Sequence, residues 1–216
     1  MEIKRVNDIQ GPAQFIANSI LKHLNAGEKV LWLATGGSSI AVGVEVAKII
    51  KEHPHQNLIV TLTDERYGEI NHPDSNWNQL LDKGFDLPEA KLIPVLLGEN
   101  RDDTTQKFNT ALEGELKSAD YKIGLFGIGT DFHTAGILPG SGAVFSEDLA
   151  FGYNSEKFER ITITPKTIQK LDEVIVFMQG EEKEKVLKIL EQNASINDQP
   201  AQILKKVPLL TIFYKK

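Results

Sequence analysis

The sequence predicts an α/β fold, a doubly wound and mostly parallel sheet with helices on both faces, similar to Rossmann-like proteins. Short apolar segments typical of buried parallel strands alternate with amphipathic helical segments almost throughout the 216 residues. Polar, glycine-containing loops follow several of these strands, at the positions where ligands bind in such sheets. Because there is no repeat, low-complexity tract or linker, we predict one domain over residues 1–216.

Composition limits the class of protein. Hydrophobic residues make up 41% of the chain and charged residues 25%, as in ordinary globular proteins. The formal charge of −6, with no basic block, argues against nucleic acid as a partner. The chain has no cysteine, which excludes disulfides and thiolate metal sites and is compatible with the cytoplasmic location that we expect. No apolar stretch approaches the roughly 18 residues of a membrane span, so we expect no membrane partner.

The first predicted strand ends in a glycine turn. Residues 29–34 (KVLWLA) form the strand candidate, and TGGSS (35–39) then precedes a helix that runs to about residue 53. The helix dipole, free N–H groups and the close approach that glycine permits favour an anion here. We therefore predict that Gly36, Gly37 and Ser38 hold a phosphate group, the alternative being a tight turn with Ser38 as helix N-cap. The turn matches neither a Walker loop nor the three-glycine dinucleotide motif.

A charged segment follows the next predicted strand. Residues 58–63 (LIVTLT) lead directly into DER (64–66), three charges that are costly to bury unless they pair or meet a ligand. A solvated loop is the alternative. The turn-forming segment NHPDSN (71–76) follows, in which Ser75 or Asn76 is expected to cap a helix.

The segment 121–142 (YKIGLFGIGTDFHTAGILPGSG) is the most informative part of the chain. Its apolar start predicts a buried strand over residues 123–126, ended by glycine. Asp131, His133 and Thr134 follow. A carboxylate and an imidazole two residues apart beyond a strand indicate catalytic residues. On spacing alone, a short helix capped by Asp131 and Thr134 is an equal alternative.

The C-terminal part contributes two candidate cations. Arg160 begins the alternating segment RITIT (160–164), and Lys183 lies in the first turn of a helix after the strand EVIVFM (173–178). The helix dipole disfavours a lysine there unless it meets an anion, although pairing with neighbouring glutamates is the ordinary alternative. The other predicted elements are an edge strand or extended connection at 91–97, helices at 11–27, 102–117 and 198–206, an irregular connection at 146–158, and a strand at 209–214.

The order of these motifs is more specific than any one of them. GGSS, DER with PDSN, GIGTDFHTAGILPG, RITIT and QGEEK resemble the motifs of the 6-phosphogluconolactonases, in the superfamily that includes the glucosamine-6-phosphate deaminases. The family motif D-G-H-T-A-S-L-F-P-G has glycine where this chain has Phe132. We expect strain at Phe132 if that glycine has positive φ. Ser39-Ile40 replaces the family's Thr-Pro in the first loop, a milder change.

The resemblance implies hydrolysis of 6-phospho-D-glucono-1,5-lactone, in the oxidative pentose phosphate pathway, with no metal or other cofactor. It implies that His133 is the general base, that Asp131 orients it, and that Arg66 stabilises the oxyanion or holds the sugar. Asn76 is expected to support the 64–66 segment. The implied substrate-binding residues are Asp64 for a sugar hydroxyl, and Gly36, Gly37, Ser38, Arg160 and Lys183 for the phosphate.

Two other functions stay open. The glucosamine-6-phosphate deaminases share the glycine turn and the Asp-x-His pair, but their corresponding loop carries Phe-Asn-Glu-Pro, whereas residues 137–139 here read Ile-Leu-Pro. A non-catalytic sugar-phosphate-binding relative would keep the fold and lose turnover through Phe132. In all three cases the expected partner is a small sugar phosphate. The sequence does not indicate an oligomeric state.

Overall fold

The computed structural model describes all 216 residues and contains ten strands and six α-helices. The strands are β1 (Glu2–Val6), β2 (Val30–Ala34), β3 (Leu58–Leu62), β4 (Asp64–Arg66), β5 (Lys91–Leu92), β6 (Tyr121–Phe126), β7 (Ala150–Asn154), β8 (Glu159–Ile163), β9 (Glu173–Gln179) and β10 (Leu209–Lys215). The helices are α1 (Gln10–Asn25), α2 (Ile40–Lys51), α3 (Asn76–Asp82), α4 (Arg101–Ser118), α5 (Pro165–Ile168) and α6 (Lys183–Leu190). Short 3₁₀ turns occupy Gly37–Ser39, Gly142–Val144 and Pro200–Lys206.

Seven strands form a parallel sheet in the order β1-β10-β9-β6-β2-β3-β5. From β2 the chain proceeds outward through β3 to β5, then returns to β6 on the other side of β2 and continues through β9 to β10. The strand order therefore reverses between β2 and β6, which is where doubly wound sheets open a ligand crevice at their carboxyl edge. The predicted fold class is confirmed.

The main sheet is buried because its central strands are apolar on both faces. Every residue of β2 and β3 is buried, as expected for parallel strands covered by helices on both sides. One hydrophobic cluster of 57 buried residues includes side chains from these strands and from α1, α2 and α4. The edge strand β5 is only two residues long and ends before Pro94, in agreement with the expected edge position. No helix combines the length and apolar composition needed to cross a bilayer.

A second, antiparallel sheet excludes the solvated-loop alternative for DER and corrects the prediction for residues 146–158. Its strand order is β4-β8-β7, so DER (64–66) is a short strand. The region 146–158, expected to be irregular, contains β7. Strand β4 consists of three charged residues, and β7 is short and partly exposed, so neither carries an apolar run that pattern alone could identify. The half-exposed strand β1 lacks such a run as well.

Candidate active site

A cleft of about 260 Å³ lies at the carboxyl edge of the main sheet, beside the point where the strand order reverses. It is lined by eight of the nine residues selected from the sequence: Gly36, Gly37, Ser38, Asp64, Arg66, His133, Arg160 and Lys183. Asp131 lies outside the cleft, in a neighbouring cavity of about 970 Å³ that shares His133 and Arg160 with it. Loops that are distant in the sequence therefore meet in one place.

The glycine turn forms the wall of the cleft that follows β2. Gly37 has a φ of 65°, in the region that favours glycine, and both Gly37 and Ser38 are exposed. A β-carbon at position 36 would overlap the side-chain amide of Asn76, so only glycine permits this approach. No side chain caps the 3₁₀ turn or the start of α2, and Ser38 is therefore not an N-cap. The backbone of this turn is open to an anion.

The DER strand sends alternate side chains in opposite directions. Asp64 and Arg66 face the cleft, whereas Glu65 is fully buried behind it. Burial raises the pKa of Glu65, although its carboxylate accepts hydrogen bonds from Ser75 Oγ and from the backbone N–H groups of Arg66, Asn76 and Trp77. Glu65 thus fixes the following loop and the start of α3 behind the cleft.

Asn76 supports the same strand, as the sequence led us to expect. Its Nδ2 donates to the carbonyl oxygen of Asp64 at 2.9 Å. Ser75, rather than Asn76, caps α3 by accepting from the N–H of Asn78 at 3.1 Å. His72 makes a local hydrogen bond, at 2.9 Å between its Nε2 and the carbonyl oxygen of Arg66.

Arg66 and Arg160 lie directly opposite each other in the antiparallel register of β4 and β8. Arg160 Nη1 is 3.6 Å from Asp64 Oδ2, so its charge is partly balanced. Arg66 forms no ion pair: its Nη1 donates to the carbonyl oxygen of Asp74 at 3.1 Å, and its buried Nε has no partner. Like charges in directly opposed positions are unfavourable. The pair is therefore suited to a ligand that brings negative charge to both guanidinium groups.

The loop after β6 presents an aspartate–histidine pair. His133 Nδ1 lies 2.6 Å from Asp131 Oδ1, and the same oxygen accepts from the His133 N–H at 3.2 Å. The segment is not a capped helix, because Thr134 Oγ1 instead donates to the carbonyl oxygen of Gly127 at 2.9 Å. Burial tends to raise the pKa of Asp131, but the charge and hydrogen bonds of His133 outweigh burial and lower it.

Phe132 adopts the conformation that a glycine would favour. Its φ is 66°, in the left-handed region, as expected from the family comparison of this loop. The side chain packs against the hydrophobic cluster, and its carbonyl oxygen accepts from the N–H of Ala201 at 3.0 Å. These contacts hold the backbone in place and keep the loop in a conformation that directs His133 to the cleft.

Lys183 is the first residue of α6. Its Nζ donates to the carbonyl oxygen of Ile128 at 2.7 Å, which ties α6 to the loop after β6. Burial lowers the pKa of Lys183, while the charges of Glu182 and Asp131 oppose that change. The ammonium group contributes positive charge to the cleft, at a helix start that favours anions.

Comparison with known proteins decides the family. A model described as "Glucosamine-6-phosphate isomerases/6-phosphogluconolactonase" matches residues 8–211. The chain belongs to this family. It is 31% identical over 163 residues to a 6-phosphogluconolactonase of Borreliella burgdorferi, covering 70% of this chain and 69% of that protein. It is 28% identical over 212 residues to that of Helicobacter pylori strain 26695, covering 94% and 89%.

Solved structures of this family share the fold. A 6-phosphogluconolactonase from Shewanella baltica superposes with a TM-score of 0.86 at 19% identity, covering 100% of this chain and 98% of that one. A monomeric glucosamine-6-phosphate deaminase gives 0.82, also at 19% identity and with the same coverage. At this identity the likeness concerns the fold alone. Because both kinds of enzyme match so well, the fold does not separate the two activities.

Sequence reasoning missed three residues of this family member's site. Gly129 lies against the His133 ring, where a β-carbon would overlap the imidazole. Glu65 was noted only as one of three charges, although its place just beyond a mostly apolar strand was a signal of burial. Phe158, whose ring lies 4.9 Å from the Arg66 guanidinium and 5.5 Å from that of Arg160, had no local sequence signal.

Proposed function

We propose that this chain hydrolyses 6-phospho-D-glucono-1,5-lactone to 6-phospho-D-gluconate. The observation that carries the proposal is the convergence of the His133–Asp131 pair with three cationic side chains, Arg66, Arg160 and Lys183, around one cleft. An imidazole and several cations suit an ester substrate that carries a phosphate. The relatives named 6-phosphogluconolactonase support the same substrate. The role in the oxidative pentose phosphate pathway and the cytoplasmic location expected from the sequence belong to this proposal.

His133 acts as the general base. Its Nδ1–H donates to Asp131, which fixes the ring orientation and leaves the Nε2 lone pair as the proton acceptor. A water molecule attacks the lactone carbonyl carbon as Nε2 takes its proton. When the bond between that carbon and the ring oxygen breaks, the imidazolium returns the proton to the departing ring oxygen, which becomes a hydroxyl group. A base of this kind contributes roughly 10²–10⁴ in rate.

The three cationic side chains have two roles: Arg66 contacts the reacting sugar, and Arg160 and Lys183 bind the phosphate. The unpaired Arg66 guanidinium stabilises the tetrahedral oxyanion or holds the sugar, because its charge has no carboxylate partner in the protein. Arg160 and Lys183, together with the backbone of Gly36 and Gly37, hold the phosphate. The carboxylate of Asp64 accepts a hydrogen bond from a sugar hydroxyl.

Glucosamine-6-phosphate deamination is the second candidate, because a deaminase structure matches the fold closely. The segment Ile137-Leu138-Pro139 argues against it, since it carries no carboxylate where the deaminases have Phe-Asn-Glu-Pro.

A non-catalytic sugar-phosphate-binding protein, which has lost turnover through Phe132, is the third candidate. The hydrogen bond between His133 and Asp131 argues against this reading, because the left-handed backbone at Phe132 leaves the pair intact.

A lactone-hydrolysis assay distinguishes the three. The lactone is generated in situ, and its spontaneous opening is subtracted at each enzyme concentration. We expect hydrolysis proportional to enzyme and no ammonia from glucosamine 6-phosphate. Release of ammonia would favour the deaminase, and calorimetric binding of 6-phosphogluconate without turnover would favour the non-catalytic protein.

A further inference from the structure

The turn between β7 and β8 lies beside the arginine pair. Ser155 and Phe158 close this turn: the Ser155 N–H donates to the carbonyl oxygen of Phe158 at 2.9 Å, and Ser155 Oγ donates to the same oxygen at 2.7 Å. Phe158 directly precedes β8 and lies two residues before Arg160. Ser155 Oγ also accepts from Arg160 Nε at 3.2 Å. The turn therefore contacts the guanidinium group of Arg160 through Ser155.

The Phe158 ring contacts both cations of the pair. The guanidinium carbon of Arg66 lies 4.9 Å from the ring centroid and that of Arg160 lies 5.5 Å from it. Both distances are within the range of cation–π attraction. Phe158 belongs neither to the hydrophobic cluster nor to the partly buried side chains packed against it, whereas Phe151 and Tyr153 of the same hairpin do pack there. The ring of Phe158 thus has the arginines, not the core, as its partners.

We propose that Phe158 is a positioning residue for anion binding. Two arginines in opposed positions repel each other, and the contacts of Arg66 with the Asp74 carbonyl and of Arg160 with Asp64 and Ser155 hold only part of each guanidinium group. The electron-rich ring attracts both guanidinium groups, whereas a carboxylate would neutralise them. The remaining donors of Arg160 stay available to the substrate phosphate, and those of Arg66 to the oxyanion or the sugar. This inference rests on the proposed function only in taking that phosphate as the anion.

A substitution series tests the role of the ring. Phe158→Leu keeps an apolar side chain and removes the aromatic face, and Phe158→Trp restores a stronger one. We expect Phe158→Leu to raise KM about tenfold, because Arg160 loses its position on the phosphate, with a smaller fall in kcat because Arg66 shifts as well. The inhibition constant of 6-phosphogluconate should rise by a similar factor. Phe158→Trp should return both constants to within threefold of wild type.

Phe15→Leu is the matched control, because Lys4 Nζ lies 4.6 Å from that partly buried ring, outside the cleft. It should leave KM unchanged. An unaltered KM in Phe158→Leu, or a Trp variant as impaired as the Leu variant, would overturn the proposal. If the wild type hydrolyses no lactone, calorimetric titration with 6-phosphogluconate gives the same comparison independently of turnover, and equal affinity in Phe158→Leu and wild type would again overturn it.

Discussion

His133 Nδ1 lies 2.6 Å from Asp131 Oδ1, two residues away in a loop that is not helical. The backbone reverses direction in this loop and so brings the two side chains together. The Gly129 N–H donates to the carbonyl oxygen of His133 at 2.9 Å, and Phe132, between these two residues, takes a left-handed conformation. The orienting role proposed for Asp131 depends on this local hydrogen bond. The left-handed backbone at Phe132 is thus part of the loop that places His133, the proposed general base.

Asp131→Asn tests the orienting role. The amide removes the negative charge and can present a donor to Nδ1, which would stabilise the wrong tautomer of His133. We expect kcat to fall about 10- to 100-fold with KM nearly unchanged, measured in the background-corrected lactone assay. A variant with wild-type kcat would show that Asp131 does not act through His133.

The difference in folding stability between wild type and Asp131→Asn should depend on pH. Since the pKa of Asp131 is lowered in the folded protein, its ionised form stabilises the fold above its unfolded pKa of about 3.9. That contribution is lost as the pH falls through the folded value. Wild type should therefore be more stable than Asp131→Asn near pH 6, and the difference should shrink below about pH 4 in urea unfolding. A difference that is constant with pH would contradict the assignment.

Gly129→Ala should disturb the imidazole directly. A β-carbon there would overlap the His133 ring and the Asp131 carboxylate, so one of them must move. We expect kcat to fall at least tenfold. Gly114→Ala is the control: this glycine lies within α4 with open space around it, and the substitution should add up to about 1 kcal/mol of stability without changing kcat. Full activity in Gly129→Ala would show that catalysis does not need the observed position of the His133 ring.

Arg160→Ala should act mainly on KM. A phosphate contact stabilises the ground state and the transition state alike, so its loss weakens binding without a matching loss of kcat. We expect KM to rise about tenfold or more in steady-state assays. A decrease in kcat alone would instead place Arg160 at the reacting carbonyl.

Phe132→Gly should leave the enzyme active. The φ of 66° is already one that glycine adopts readily, so the loop should keep its path. Relief of backbone strain, about 1 kcal/mol, is opposed by the loss of partial side-chain packing, and the net change in the free energy of unfolding should be small. We expect kcat within about threefold of wild type. A large gain in kcat would mean that Phe132 impairs turnover in the natural chain.

The sequence predicted the main sheet because its strands are apolar runs and its helices have a clear 3.6-residue period. It did not predict β1 of that sheet, nor β4 and β7 of the second sheet, because these short strands carry no such run. Of the eight selected residues in the cleft, five follow a strand of the main sheet or begin a helix at its carboxyl edge: Gly36, Gly37, Ser38, His133 and Lys183. The other three, Asp64, Arg66 and Arg160, lie on the paired strands β4 and β8.

Other relationships in the site depend on tertiary register. The opposition of Arg66 and Arg160 requires the antiparallel pairing of β4 with β8, which joins segments almost a hundred residues apart. Phe158 meets both arginines through that same pairing. No local pattern indicates either contact. The functional roles of these residues remain proposals that the substitutions above test.

The most direct test of the central claim compares wild type with His133→Ala in lactone hydrolysis, each corrected for the spontaneous reaction. If His133 is the general base, wild type should hydrolyse 6-phosphogluconolactone well above background, and the variant should lose about 100-fold or more of that rate while still binding 6-phosphogluconate. Hydrolysis at the wild-type rate by His133→Ala would contradict the mechanism.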